Sequence, residues 1–383
     1  MSVYSISNTL QIAKRYKNPK RTYLLVNPLQ AKHIPVSPSE SLTMMTKLGE
    51  LLRSKYPNSN LIIGFAETAT AIGAAVANCF SESCIYLHTT REPVPNVDKW
   101  IEFSEEHSHA VEQKLFADTL QEWICQSETI IFVEDEISTG KTLINMIDKL
   151  KRIFPALATK KLVAASILNR VSPDNMQRMN DAGVVCEFLV QLPQTDYTEL
   201  VAGFDVYPAE KRQALPQTMD CIETSIMQQV EPRKGTHIGD YAFSCSQVAD
   251  TFITAYRDIL KSSESVLVLG TEECMYPALI LGKALELAFN NLSVRCHATT
   301  RSPIGICSTD GYPITSGFKI ESFYSTTRDT YIYNLSHYDA VIVVTDELSS
   351  NIRNAMNSLA AALVPYSIPH MFCIQGGQYV WHI

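Results

Sequence analysis

Short runs of apolar, often β-branched residues recur along the chain, separated by stretches in which apolar residues return every three or four positions. Runs of about four to eight such residues suit buried strands, and the three-to-four spacing suits helices with one packed face. In the first half the strand candidates are LIIGF (61–65), CIYLH (84–88), TIIFV (129–133), KLVAASIL (161–168) and VVCEFLVQL (184–192). Helical stretches lie between most of them, for example SESLTMMTKLGELLRSKY and TAIGAAVANCF. Strand and helix in alternation predict a parallel α/β domain. A second alternation follows, with SVLVLG (265–270), NLSVRCHATT (291–300), DAVIVVTDE (339–347) and HMFCIQ (370–375). The stretch between them is more polar and carries Pro208, Pro216, Pro232 and the charged run EPRKG. The pattern predicts a first domain over 1–195, a connector over 196–235 and a second domain over 236–383.

The two halves also repeat each other. IIGFAETATAIGAAVA from 62 matches VLGTEECMYPALILGKALE from 268, HTTREP matches HATTRSP, DKWIEFSEE loosely matches GFKIESFYS, and IIFVEDEIST matches VIVVTDELSS. The order is the same in both halves. A fixed order of matches is the mark of a duplicated unit. The expected fold is α/β, two related Rossmann-like domains with mainly parallel sheets, the second a divergent copy of the first.

Candidate chemistry begins at IIFVEDEISTGKTLINMI (130–147). Its G-K-T resembles the tail of an ATP-binding P-loop, which needs a glycine five positions before the second one. That position is Asp135, whose carboxylate would repel phosphates, so a P-loop is excluded. After Thr142 the residues Leu143, Ile144, Ile147 and Leu150 keep helical spacing. The segment reads as strand, acids Glu134 and Asp135, a polar loop Ser138, Thr139, Gly140, Lys141 and Thr142, then helix. Amides at a helix start favour an anion, and acids beside it favour a diol or a metal. A ribose 5-phosphate fits both halves of this arrangement. An ordinary strand-to-helix turn with solvated acids fits the local sequence equally well.

Composition narrows the choice. The 383 residues carry a net charge of −8, which argues against a general nucleic-acid binder. Ten cysteines form no C-x-x-C pair, so neither a zinc site nor a disulfide framework is signalled. The N-terminal stretch lacks a signal-type apolar core, and no run of 18 apolar residues occurs. The expectation is a cytoplasmic protein whose partners are neither nucleic acid nor membrane.

Three further stretches converge on anion chemistry. GFAETAT (64–70) puts Glu67 and Thr68 in a loop before a small-residue helix, where amides can meet a second anion. TTREP (89–93) offers Arg91, whose planar fork suits phosphate oxygens; a surface arginine paired with Glu92 is the plainer alternative. FSEEHSHAVEQKLF (103–116) has few apolar anchors and carries His107, His109 and Lys114. It reads as a lid or as a solvated helix start. Metal binding by the histidines is the weaker reading, because no third ligand stands near them in sequence.

At these residues the chain resembles the type I phosphoribosyltransferases, whose signature is an apolar run, two adjacent acids and a T-G or S-T-G cluster. VEDEISTGKT fits that signature. More narrowly, GFAETAT, TTRE, EEHSHA and TTRSP resemble the orotate-phosphoribosyltransferase-like proteins with a C-terminal TRSP domain, found in bacterial tellurite-resistance and stress gene neighbourhoods. The resemblance covers nearly the whole chain and implies two phosphoribosyltransferase-type domains, the second degenerate. It implies phosphoribosyl pyrophosphate (PRPP) as substrate, Mg2+ as cofactor and a nitrogen acceptor it does not identify. A homodimer is left open. By residue, it implies that Glu134 and Asp135 hold the ribose hydroxyls and the metal, and that Ser138 to Thr142 cradle the 5-phosphate. Glu67 and Thr68 fall in the pyrophosphate loop, where a non-proline cis peptide is common, and Arg91 meets the pyrophosphate. His107 and His109 fall in the catalytic hood, where relatives usually carry lysines instead.

The second copy reads TDELSSNIR where the first has EDEISTGKT. Losing the glycine and the first acid predicts one PRPP site per chain. TTRSPIG persists, so Arg301, with Asp240 of HIGDYAFS, is a candidate for an acceptor site, or else a structural arginine. Two other functions compete with transfer: a non-catalytic PRPP-sensing regulator, and a PRPP-synthetase-like kinase, for which no ATP motif is found.

Overall fold

The structure, a computed structural model, describes residues 3–103, 113–224, 229–349 and 351–383. The chain forms two compact units, each built from separate stretches of sequence. One comprises Met1–Ile6, Thr43–Gln194 and Val230–Phe243; the other comprises Ser7–Leu42, Thr195–Gln229 and Ser244–Ile383.

The first unit is built on a six-stranded sheet in the order Thr236–His237, Ile85–His88, Leu61–Gly64, Thr129–Ile137, Lys161–Asn169, Val184–Gln191. All neighbours run parallel except the short Thr236–His237 edge. Ile62, Ile131, Val133, Val163 and Ala165 are buried, as continuous apolar strands of a covered parallel sheet must be. The helix Thr70–Ala77 is buried along its whole length, which its small side chains permit. The helix Lys141–Ile153 buries Leu143, Met146, Ile147 and Leu150, the stripe expected from its spacing, with Met146 added and Ile144 only partly covered.

The acid strand is longer than its apolar run. Glu134, Glu136 and Ile137 continue the pairing, opposite Ser166, Leu168 and Asn169. Glu134 and Asp135 therefore lie in the strand's last turnless stretch, where the backbone ladder fixes them, rather than in a loop after it.

The second unit repeats the plan. Its sheet runs Asp220–Glu223, Tyr379–His382, His370–Gln375, Ala340–Thr345, Ser265–Gly270, Ser293–Ala298, with the last four strands parallel and the first two antiparallel. Leu267, Leu269, Val341 and Val343 pack with Phe323, Met356 and Leu359 into its core. Residues 7–42, contiguous in sequence with the first domain, pack here. Ala13 and Val26 of the hairpin Gln11–Lys14/Tyr23–Val26 join Ile304, Tyr312, Ile314 and Tyr333 in one apolar cluster. The Lys14 amide donates to the Tyr312 hydroxyl at 2.9 Å.

In each sheet the first parallel strand in sequence lies between the second and the third. The direction of winding therefore reverses between Leu61–Gly64 and Thr129–Ile137 in one unit and between Ser265–Gly270 and Ala340–Thr345 in the other. In open α/β sheets, ligands bind in the crevice outside the carboxyl ends of the strands at such a reversal.

Candidate active site

The first unit brings its two candidate loops to that reversal. After Gly64 the chain enters the loop of Ala66, Glu67 and Thr68, and the Ala66–Glu67 peptide is cis, as the resemblance implies. The Phe65 amide donates to the carbonyl of Val133 at 3.0 Å, which ties this loop to the residue just before Glu134. The Ala66 amide donates to Thr89 Oγ1 at 2.8 Å, and the Thr89 hydroxyl donates in turn to Gln113 Oε1 at 2.5 Å. The Thr89 amide donates to the Gly64 carbonyl at 2.9 Å. Three segments distant in sequence are thus fastened by one threonine.

Glu134 carries the clearest electrostatic signature. Burial of its carboxyl is the first cause and the Asp135 charge the second, and together they raise its pKa well above the ordinary value. The Arg91 guanidinium opposes them, so the charge of Arg91 reaches the acid strand. Arg91 itself is exposed, while the neighbouring Glu92 is buried with its amide on Thr90 Oγ1 at 3.0 Å. Arg170, at the end of the adjacent strand, reaches Glu136 at 3.8 Å.

Ser138, Thr139, Lys141 and Thr142 are exposed around Gly140, which is buried with φ +71. A side chain there would be strained by the left-handed backbone, and its Cβ would meet Met179 Sδ at 2.6 Å. Gly140 is the N-cap of Lys141–Ile153, and the Lys141 amide donates to Thr139 Oγ1 at 3.4 Å; a helix start of this kind favours an anion. His107 and His109 lie outside the described residues. The strand Gln113–Phe116 that follows them pairs with Trp100–Phe103, and Lys114 exchanges backbone hydrogen bonds of 2.8 Å with Thr90.

Sequence reasoning did not single out Thr89, Gln113, Met179 or Arg170. Thr89 stood beside Arg91 in TTREP and could have been weighed; the others are neighbours only in space. Among the described residues, no group of three or more His, Cys, Asp or Glu side chains could hold a metal, and no helix is long and apolar enough to cross a membrane.

The second unit repeats this hydrogen-bond scheme with other side chains. Thr271 N donates to Val344 O at 3.2 Å as Phe65 does to Val133, and Thr299 N donates to Gly270 O at 3.0 Å as Thr89 does to Gly64. Thr300 exchanges bonds of 2.9 and 2.7 Å with Tyr331, as Thr90 does with Lys114. Arg301 therefore holds the place of Arg91, Thr345 that of Glu134, Asp346 that of Asp135 and Asn351 that of Gly140. The Arg301 guanidinium has partners within its own unit, Glu272 at 2.8 Å and Glu273 at 3.9 Å. Asp240 is exposed in the first unit, 3.8 Å from His237.

Residues 9–195 match the family described as phosphoribosyl transferase, which sets the class of the protein. Residues 239–363 match the TRSP domain that follows it. The chain belongs to the phosphoribosyl transferase family that carries a C-terminal TRSP domain. No curated protein matches the sequence significantly. Among solved structures, adenine phosphoribosyl transferase of Trypanosoma brucei, in complex with AMP, pyrophosphate and ribose-5-phosphate, is similar at 14% identity. The likeness covers 48% of this chain and 76% of that one, with a TM-score of 0.33. The Giardia lamblia adenine enzyme with 9-deazaadenine is similar at 11% identity over 48% and 93% of the two chains, TM-score 0.33. The orotate enzyme of Aeropyrum pernix is similar at 18% identity over 43% and 78%, TM-score 0.28.

Proposed function

We propose that the first unit binds PRPP and transfers its phosphoribosyl group to a nitrogen of a base-like acceptor, releasing pyrophosphate. The observation that carries this reading is the meeting of two loops at one sheet reversal. The loop of Ala66 to Thr68 and the segment from Glu134 to Thr142 leave neighbouring strands side by side, and the charge of Arg91 reaches Glu134.

The roles follow from the charges. The amides and hydroxyls of Ser138 to Thr142 hold the 5-phosphate at the helix start. Glu134 and Asp135 accept hydrogen bonds from the ribose hydroxyls. Arg91 and the amides about Glu67 and Thr68 meet the pyrophosphate oxygens. In the reaction the bond from C1 to the pyrophosphate oxygen breaks and its electron pair leaves with pyrophosphate. The lone pair of the acceptor nitrogen forms the new bond to C1, and its proton passes to solvent. Donors preset around the departing oxygens lower the barrier because they need no reorganisation as charge develops.

The acid pair fits a magnesium ion. Mg2+ commonly takes one or two carboxylates and completes its shell with water and substrate phosphate oxygens. Burial first, and the Asp135 charge second, raise the pKa of Glu134, and a cation beside the pair would offset the second of these. Bound there, the ion supplies positive charge to the departing pyrophosphate.

The test is PRPP consumption and pyrophosphate release across a panel of nucleobases and small heterocycles, beside calorimetric PRPP binding with and without Mg2+. Turnover with one acceptor class is expected. PRPP binding without turnover would favour a PRPP-sensing regulator, and absence of PRPP binding would sink both readings.

A further inference from the structure

One substitution between the two reversal sites changes their chemistry more than any other. The amide of Glu272 donates to Thr299 Oγ1 at 3.0 Å, as the amide of Ala66 does to Thr89 Oγ1. Glu272 therefore stands where Ala66 stands, and a methyl group has become a carboxylate. That side chain has 0% exposure, whereas Arg301 and Arg328 keep 17% and 28%. Its Oε2 accepts from Arg301 Nε and from Arg328 Nη2, both at 2.8 Å, and its Oε1 accepts from the Ser322 hydroxyl at 2.7 Å.

The loop is held in this form from below. Lys32 is fully buried and donates from Nζ to the carbonyls of Glu272 at 2.7 Å and Thr299 at 2.9 Å. Glu272 has φ +45, a left-handed backbone that strains a non-glycine residue and persists only where its surroundings fix it. Two guanidinium groups and a hydroxyl converging on one buried carboxylate are the donor set of an oxyanion receptor.

We infer that Glu272 is a built-in plug: its carboxylate fills the second unit's own oxyanion site, which Arg301, Arg328 and Ser322 form and which takes a phosphate- or pyrophosphate-type anion once the plug is removed. The pyrophosphate class rests on the proposed reading of the first unit, because Ala66 belongs to that unit's pyrophosphate loop. The plug rests on the second unit's contacts alone. The remainder of a PRPP site is closed here. Asn351 replaces Gly140 with an ordinary φ of −69 and donates from Nδ2 to the Ser322 carbonyl at 2.6 Å, while Thr345 replaces Glu134. The unplugged site is therefore one for the anion and not for PRPP.

The experiment titrates full-length protein with inorganic pyrophosphate and Mg2+ by calorimetry, comparing wild type, Glu272→Ala and Glu272→Ala with Arg301→Ala. The single variant should gain one pyrophosphate site per chain over wild type, at least about tenfold tighter than any second wild-type site. The double variant should lose it. The thermal midpoint of Glu272→Ala, lowered by loss of the carboxylate that Arg301 and Arg328 share, should recover with pyrophosphate and not with sodium chloride of equal ionic strength. If Glu272→Ala does not fold, Glu272→Gly, which suits the left-handed backbone and also empties the site, carries the same titration. A folded variant that gains no site, or a gained site that survives Arg301→Ala, overturns the inference. The wild-type titration scores the other reading separately: wild type binding no pyrophosphate, or binding it unchanged in Arg91→Ala, counts against the first unit's site and leaves the gain at Glu272 to be read on its own.

Discussion

Two copies of one fold can be matched at four places; three of them carry different residues, and each difference points the same way. In the first unit Ala66, Glu134, Asp135 and Gly140 mark a loop, two half-buried acids and a helix start at the sheet reversal. In the second, Glu272, Thr345, Asp346 and Asn351 stand at those places, and all four side chains are bonded within the unit, Thr345 Oγ1 accepting from the Thr271 hydroxyl at 2.9 Å. Glu272 holds two arginines, the Tyr324 hydroxyl donates to Asp346 Oδ1 at 2.5 Å, and Asn351 is bonded to the Ser322 carbonyl. The backbone hydrogen bonds that frame both sites are nevertheless the same. A frame of strand ends and threonines can thus be kept while the groups that face a ligand are turned inward, because the frame is paid in backbone bonds and the ligand site in side chains.

The comparison can be broken most severely at the acids. Asp135→Asn is expected to lower turnover with PRPP by about 100-fold or more, the loss typical of removing one preset electrostatic group. Asp346→Asn should leave turnover unchanged. Equal losses from both, measured as kcat/KM on folded protein, would mean that the second unit shares the chemistry.

Both units also bury a histidine, and here they should behave alike. Burial lowers the pKa of His88 and of His297 to about 4 from the ordinary 6.5. A base whose folded pKa lies below its unfolded value leaves the folded state with fewer protons. Stability is therefore full above about pH 6.5 and falls as pH drops toward 4, by on the order of 3 kcal/mol per histidine. Urea unfolding at pH 7 and pH 4.5 in His88→Gln and His297→Gln should show a shallower pH slope in each variant than in wild type; an unchanged slope would refute the assignment.

Gly140 and Asn351 sharpen the contrast at the helix start. Gly140→Ala meets both the left-handed φ and Met179, and should cost about 1–3 kcal/mol, appearing in thermal unfolding and in weakened PRPP binding together. Asn351→Ala removes one buried hydrogen bond and should cost about 1 kcal/mol of stability with PRPP affinity untouched. Calorimetry and melting curves on the pair separate the two outcomes.

The smallest expected effect is at Glu134, whose place in the second unit is taken by the neutral Thr345. A carboxyl with a raised folded pKa binds more protons folded than unfolded. Its ionisation therefore costs stability as pH rises from its unfolded value through its folded one. Glu134→Gln should raise the thermal midpoint at neutral pH by a few degrees at most, while PRPP binding weakens. A midpoint that falls would show that the acid pair stabilises the free protein.

Much of this was legible in the sequence. The apolar runs fixed which segments are buried strands, since a strand covered on both faces has to be apolar throughout. The acid pair before S-T-G and the order of four repeated stretches marked both reversal sites, because the residues that shape a strand-to-helix loop are adjacent in sequence. What lay beyond reach was decided between segments far apart. Residues 7–42 join the second unit through apolar contacts with residues near 304–333, which no local pattern encodes. The acids sit inside the strand because the neighbouring strand extends far enough to pair with them. Thr89 joins the Ala66 loop to Gln113, and Glu272 meets Arg301, Ser322 and Arg328, only once the sheet has brought its strand ends together. The sequence by itself determined the strands, the loops and the duplication, since each depends on neighbours along the chain; whether a loop faces a ligand or its own carboxylate was left to tertiary structure, because that depends on which charges the fold places within about 3 Å.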